Sequence, residues 1–137
     1  MTPARAGPED GARVDDLVRK HHRVLAPFLW EGELPTCVVE VTTDPGTARR
    51  TGVLAVTPQR VLVLIEMRAG GGLKTTLRTY SFRLRTLKDV KPDGAHVRLE
   101  TPGHAVSVRV TDRAEEPGAA AALRVAQAIL EARAGNA

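Results

Sequence analysis

Four histidines, one cysteine and a run of three glycines are the residues of this 137-residue chain whose chemistry could go beyond packing. His21 and His22 are adjacent in a helical segment, so their side chains point about 100° apart. They lack the i,i+4 spacing of a helical metal pair, and His21 falls within an apolar stripe that makes it a packing residue. His96 and His104 fall on opposite faces of a predicted hairpin, which argues against a shared metal. Gly70-Gly71-Gly72 has no Lys-Ser/Thr helix behind it, so it is not a phosphate-binding P-loop and reads as a hairpin loop. Cys37 is alone, which excludes an internal disulfide and a cysteine-rich zinc site. It lies in the apolar run CVVEV and reads as a buried structural thiol. No serine sits with a histidine and an acid in a nucleophile motif. No catalytic residue, cofactor or metal is therefore expected, and the chain is not expected to be an enzyme.

The remaining polar chemistry is basic. A net charge of +4 permits weak binding to phosphate polymers or anionic lipid without demanding it. Arg19, Lys20, His22 and Arg23 complement a helix C-terminus and pair with Asp15 and Asp16, a structural role. Arg49-Arg50 lie between the first two predicted strands. Arg78, Arg83 and Arg85 flank Tyr80 and Phe82. Basic residues interleaved with aromatics can bind single-stranded nucleic acid, but two aromatics in one strand are more often core, so nucleic acid is not the favoured partner. The candidate ligand- or partner-binding residues are Arg49, Arg50, Arg78, Arg83 and Arg85.

These residues need a scaffold, and the patterning predicts one. Residues 1–8 read as a disordered Pro/Ala/Gly-rich tail and 9–28 as a helical extension. In that helix Val14, Leu17, Val18, Val24, Leu25 and Phe28 form one stripe, ended by Pro27. Seven short strands follow. The stretch GVLAVTPQRVLVLIEM, 52–67, turns at Thr57-Pro58-Gln59-Arg60. It then sets Val56 opposite Val61, Leu54 opposite Val63, Ala55 opposite Leu62 and Val53 opposite Leu64. Both faces of that hairpin are apolar, whereas an antiparallel sheet in a small domain usually wets one face. The expected cover is the N-terminal stripe, through Leu17, Val24 or Leu25, with a second subunit as the other option. Leu73–Phe82 reads as strand four and Leu87–Val90 as strand five, before a turn at Pro92-Asp93-Gly94. Pro102-Gly103 sets Leu99 opposite Val106 and Val97 opposite Val108, with Arg98 and Ser107 outside. A closing helix over 114–134 presents Ala122, Leu123, Ala126, Ile129 and Leu130 to the core.

Leu29-Trp30-Glu31-Gly32-Glu33, the hairpin GVLAVTPQRVLVL and the segment YSFRLRTLKDV occur in an order that resembles the bacterial pleckstrin-homology-like domains, relatives of the PH and GRAM modules. The resemblance covers about residues 29–134. It implies a mainly β, α+β fold: two orthogonal antiparallel sheets of about seven strands, capped by the C-terminal helix. It also implies a non-enzymatic binding or scaffolding module. The alternative is an electrostatic binder of anionic lipid or nucleic acid through Arg49, Arg50, Arg78, Arg83 and Arg85, although the lysine that lipid-binding relatives carry at the end of strand one is absent. Homo-oligomers are common in that group. With no apolar run of membrane-spanning length and no secretory leader in MTPARAGPEDGA, the expected location is cytoplasmic, with a peripheral membrane position if lipid is the ligand. The Arg-over-Lys, Ala-rich composition fits a high-GC bacterial genome.

Overall fold

The computed structural model describes residues 25–43, 50–69, 74–111 and 116–135. The expected tail, and the expected helix as far as Val24, lie outside the described residues. What is described of that segment is Leu25 and a single 3-10 turn at Ala26–Phe28, with Pro27 inside it.

Seven strands follow: β1 Cys37–Thr43, β2 Arg50–Val56, β3 Arg60–Ala69, β4 Lys74–Arg83, β5 Asp89–Asp93, β6 His96–Thr101 and β7 His104–Val110. A helix, α1 Gly118–Gly135, closes the described chain. The strands form one antiparallel sheet in the order β4-β3-β2-β1-β7-β6-β5, which corrects the expectation of two sheets. The reason lies in β1. It pairs with β2 along its whole length, and its far end also pairs with β7 through Val41–Val110 and Thr42–Arg109. Thr111 N donates to Glu40 O at 3.0 Å and extends that junction.

The opening hairpin has the expected register, with Val56–Val61, Ala55–Leu62, Leu54–Val63 and Val53–Leu64 opposite each other. Thr57 closes its turn: its N–H donates to Arg60 O at 2.9 Å, and its hydroxyl accepts from Gln59 N and Arg60 N. Gly52 is required where β2 meets β3, because a Cβ there would run into the Leu64 carbonyl and the Ile65 side chain.

Both faces of this hairpin are buried. The inner face, Leu54, Val56, Val61, Val63 and Ile65, joins the main core with Val39, Phe82, Val97, Leu99 and α1. The outer face, Val53, Ala55, Leu62 and Leu64 with Val38 of β1, packs with Leu25, Phe28 and Leu29. Of the three expected cover residues, Leu25 is in that cluster; Leu17 and Val24 lie outside the described residues. Each fully buried leucine on either face contributes about 1.5–3 kcal/mol.

Three local expectations change. Strand five runs Asp89–Asp93, not 87–90, and its turn sits at Gly94-Ala95, with Gly94 at φ +57°. Pro92 is accommodated because β5 is an edge strand. Leu84 and Leu87 instead frame a 3-10 turn, Leu84–Thr86, and both are buried. In α1 the buried face is Gly118, Ala121, Ala122, Val125, Ala126 and Ile129, an unbroken i, i+3, i+4 series. Leu123 and Leu130, expected inside, are about half exposed, at 55% and 51%. Small alanines let the helix axis approach the sheet, and the two leucines fall on the flank. The last hairpin keeps its expected register. Val97, Leu99 and Val108 are buried, Val106 is half-buried, and Arg98 and Ser107 are exposed. Pro102-Gly103 makes its turn, with Gly103 at φ +79°, as a type II turn requires.

Candidate functional site

Among the described residues, a buried polar cluster is built from the two motifs that bracket β1. Trp30-Glu31-Gly32-Glu33 forms a turn in which Glu33 N donates to Trp30 O at 2.9 Å and Gly32 takes φ +76°. Trp30 N donates back to Glu33 Oε1 at 2.9 Å, which fixes the carboxylate. Past the turn, Thr36 N donates to Val56 O at 2.7 Å and lays this segment against the β2–β3 hairpin. Glu33 thereby reaches the hairpin turn. Its Oε2 accepts from Thr57 Oγ1 at 2.8 Å and from Arg60 Nε at 3.0 Å, and its Oε1 accepts from Arg60 Nη2 at 2.9 Å. Arg60 also donates through Nη1 to Ser81 Oγ at 3.1 Å and through Nη2 to Phe28 O. Its guanidinium lies 4.0 Å from the Trp30 ring centroid, a cation–π distance.

Glu33, Thr57 and Arg60 are 5%, 0% and 6% exposed. Burial pushes the Glu33 carboxyl up, but hydrogen bonds from Arg60, Trp30 N–H and Thr57, together with the Arg60 charge, outweigh it and hold the group below its usual range. The cluster is a brace. It ties the chain before β1 to the hairpin turn and to β4, and it holds its charges away from solvent. The separate residues were legible in the sequence as parts of two motifs. Their convergence was not, since 24 and 27 positions separate Glu33 from Thr57 and Arg60. Nothing in either motif taken alone singles out the pair, since Glu31 stands close to Glu33 and Gln59 beside Arg60.

The five candidate arginines are dispersed. Arg49 lies outside the described residues, and Arg50 opens β2 opposite Thr43. Arg78 and Arg83 are exposed and fall on opposite faces of β4. Arg78 Nη1 approaches the Tyr80 hydroxyl at 3.5 Å, on the face that leads into the core. Arg83 lies on the outer face beside the brace, 5.8 Å from the Trp30 ring centroid. Arg85 is exposed in the 3-10 turn that follows. Arg78, Arg83 and Arg85 thus line the β4 rim without converging on one pocket.

Cys37 is buried, and its Sγ accepts from Arg124 Nη1 at 3.4 Å. Arg124 is itself held by Glu116 at 3.0 and 2.9 Å. Burial raises the thiol, partly opposed by the Arg124 charge and reinforced by Glu116, which favours the protonated form. His104 stacks on Tyr80 at 6.4 Å, and Tyr80 stacks on Phe82 at the same distance. His96 sits on the other face of the hairpin, opposite Arg109. His21 and His22 lie outside the described residues. Among the described residues, no group of three His, Cys, Asp or Glu side chains could hold a metal ion, and no helix is long and apolar enough to cross a membrane.

No protein-family profile matches the chain, and no curated protein matches it. Solved structures do. The hSac2 domain from the human phosphoinositide phosphatase Sac2 superposes with a TM-score of 0.62 at 15% identity, covering 97% of this chain and 86% of that one. The C-terminal domain of an unknown protein from Leishmania infantum superposes with a TM-score of 0.52, also at 15% identity, covering 88% of this chain and 98% of that one. At such identity the likeness concerns the fold, and that fold is PH-like.

Proposed function

We propose that this chain is a non-enzymatic PH-like module that presents a fixed surface for protein–protein contact, in the cytoplasm of a bacterium. The observation that carries this reading is the Glu33–Arg60–Thr57 brace. Glu33 and Arg60 face each other and the backbone inside the fold, an arrangement suited to holding the sheet in one shape. The groups left facing outward suit contact with a partner: Trp30 and Leu34 before β1, Arg78 and Arg83 on β4, and Leu123 and Leu130 on α1. A homo-oligomer is one form such contact could take. The alternative, an electrostatic binder of anionic lipid, draws on net charge +4 and on Arg49, Arg50, Arg78, Arg83 and Arg85.

Two measurements separate these readings. A photo-crosslinking amino acid placed in turn at Leu34, Thr79 and Leu123 in the native cell should give a discrete protein adduct from at least one position. Sedimentation with phosphatidylserine-containing vesicles should show association at low salt that is gone at physiological salt. Vesicle binding that persists at high salt and falls when Arg49 and Arg50 become alanine, with no protein adduct from any position, would replace the protein-contact reading with the lipid one.

A further inference from the structure

We infer that the free edge of β4 takes up an acidic extended segment of another protein as an eighth strand. This rests on the protein-contact reading above and names its surface and the chemistry of its partner. β4 is ten residues long and ends the sheet, so one of its sides has no strand beside it among the described residues.

The register shows which groups that side offers. Thr57 N bonds to Arg60 O, so these two form an exchanging pair, and alternation makes Ala55–Leu62 and Val53–Leu64 the exchanging pairs of the β2–β3 ladder. The backbone groups of Val61, Val63 and Ile65 therefore turn toward β4, where they meet Phe82, Tyr80 and Arg78. Leu84 N, bonded to Gln59 O at 3.2 Å, continues that parity. The N–H and C=O groups of Thr75, Leu77, Thr79 and Ser81 are left pointing outward from the edge. The Arg83 N–H joins them, while its carbonyl is taken by Leu87 N and the Thr86 hydroxyl.

Charge selects the occupant. The strand KTTLRTYSFR has three cations and no acid. Arg78 lies on its inner face and Arg83 on its outer face, with Arg85 just beyond, so an added strand meets an arginine whichever way its side chains alternate. A second copy of β4 would bring cations against cations, the arrangement by which exposed edges avoid self-pairing. An acidic strand reverses that repulsion while making the same main-chain bonds. The opposite edge is not equivalent: β5 has five residues, carries Asp89 and Asp93, and loses a backbone donor at Pro92.

The test is fluorescence anisotropy of the full chain with a labelled octapeptide, ETVEVTEV, and its lysine counterpart, KTVKVTKV. The acidic peptide should bind and the basic one should not. Thr79→Pro removes one outward N–H without touching the β3 ladder. It should weaken binding about tenfold, the equivalent of one interstrand hydrogen bond, with an unchanged melting temperature. Should that variant unfold, N-methylation of the peptide decides: methyl groups on one set of alternate residues should abolish binding, and those on the other set should leave it intact. Equal binding of the two peptides, undiminished binding by folded Thr79→Pro, indifference to both methylation sets, or dimerisation of the chain through β4 would overturn the inference. A crosslinked protein adduct from Leu123 with none from Thr79 would overturn it too, while leaving the protein-contact reading standing.

Discussion

The β2–β3 and β6–β7 hairpins flank β1 in one sheet, and they treat their polar groups in opposite ways. β2–β3 is apolar on both faces, so its outer face must be covered, and the segment Leu25–Leu29 is part of that cover. The charges at its turn are folded inward, where Arg60 and Glu33 meet at 2.9 Å with side chains 7% and 1% exposed. β6–β7 buries one face against the core and wets the other. Its charges stay on the wet face, with Arg98 and Glu100 paired at 2.8 Å and Lys91 and Asp89 of adjoining β5 at 3.6 Å. The difference teaches where an ion pair matters. A buried pair must be complete or the fold suffers, whereas a surface pair is already solvated when it forms.

The sharpest way to break this contrast is Arg60→Ala. It leaves the Glu33 carboxylate buried without its partner and should cost about 3–5 kcal/mol in urea unfolding. Replacing both, Glu33→Leu with Arg60→Met, should recover most of that loss, because the pair's own desolvation is then removed as well. A cost for Arg60→Ala no larger than that for Arg98→Ala would end the distinction between the hairpins. Next in size is the comparison of Leu62→Ala with Val106→Ala. Leu62 is fully buried on the doubly covered hairpin and should lose about 2–5 kcal/mol. Val106 is half-buried and should lose about 1 kcal/mol. Equal losses would mean that the outer cover contributes nothing.

Acid titration sharpens the comparison further. The Glu33 pKa is depressed in the folded state, so its contribution is fully present above the unfolded carboxylate value of about 4.3 and is lost as pH falls through the folded value. Thermal melts should therefore fall on acidification below about pH 4, and Glu33→Gln should flatten that decline. Glu100 is also lowered, chiefly by its hydrogen bond from Arg98, but it faces solvent, so Glu100→Gln should leave the acid profile nearly unchanged. The smallest effect belongs to Arg98→Ala. Its shift in melting temperature should lie close to the error of the measurement and vanish in high salt.

The same contrast explains what could be read in advance. Both hairpin registers were legible because local chemistry fixes them: Thr57-Pro58 and Pro102-Gly103 set the turns, and alternation does the rest. The doubly apolar character of β2–β3 also announced its need for a cover. The single sheet was not legible, because the β1–β7 junction is two residue pairs between distant segments. The face of α1 was not legible at Leu123 and Leu130, since hydrophobicity alone places large apolar residues inside while close packing on a sheet selects small ones. The Glu33–Arg60 contact has no local signature at all. The separation of Arg78 from Arg83 did: their odd spacing on one strand puts them on opposite faces.

The double pairing of β1 sets an order in time. β1 to β4 is a meander whose ladders join segments adjacent in sequence, so it can assemble by short loop closures. The β1–β7 junction joins Val41 to Val110 and must close most of the chain before it is rewarded. Contacts of the meander should then belong to the folding nucleus, and those of the junction should form after the transition state. In stopped-flow chevrons, Val63→Ala should slow folding, while Val110→Ala should leave folding nearly unchanged and accelerate unfolding. On that order the junction of β1 with β7 is where the native protein should first come apart, and its contacts should set the lifetime of the folded state.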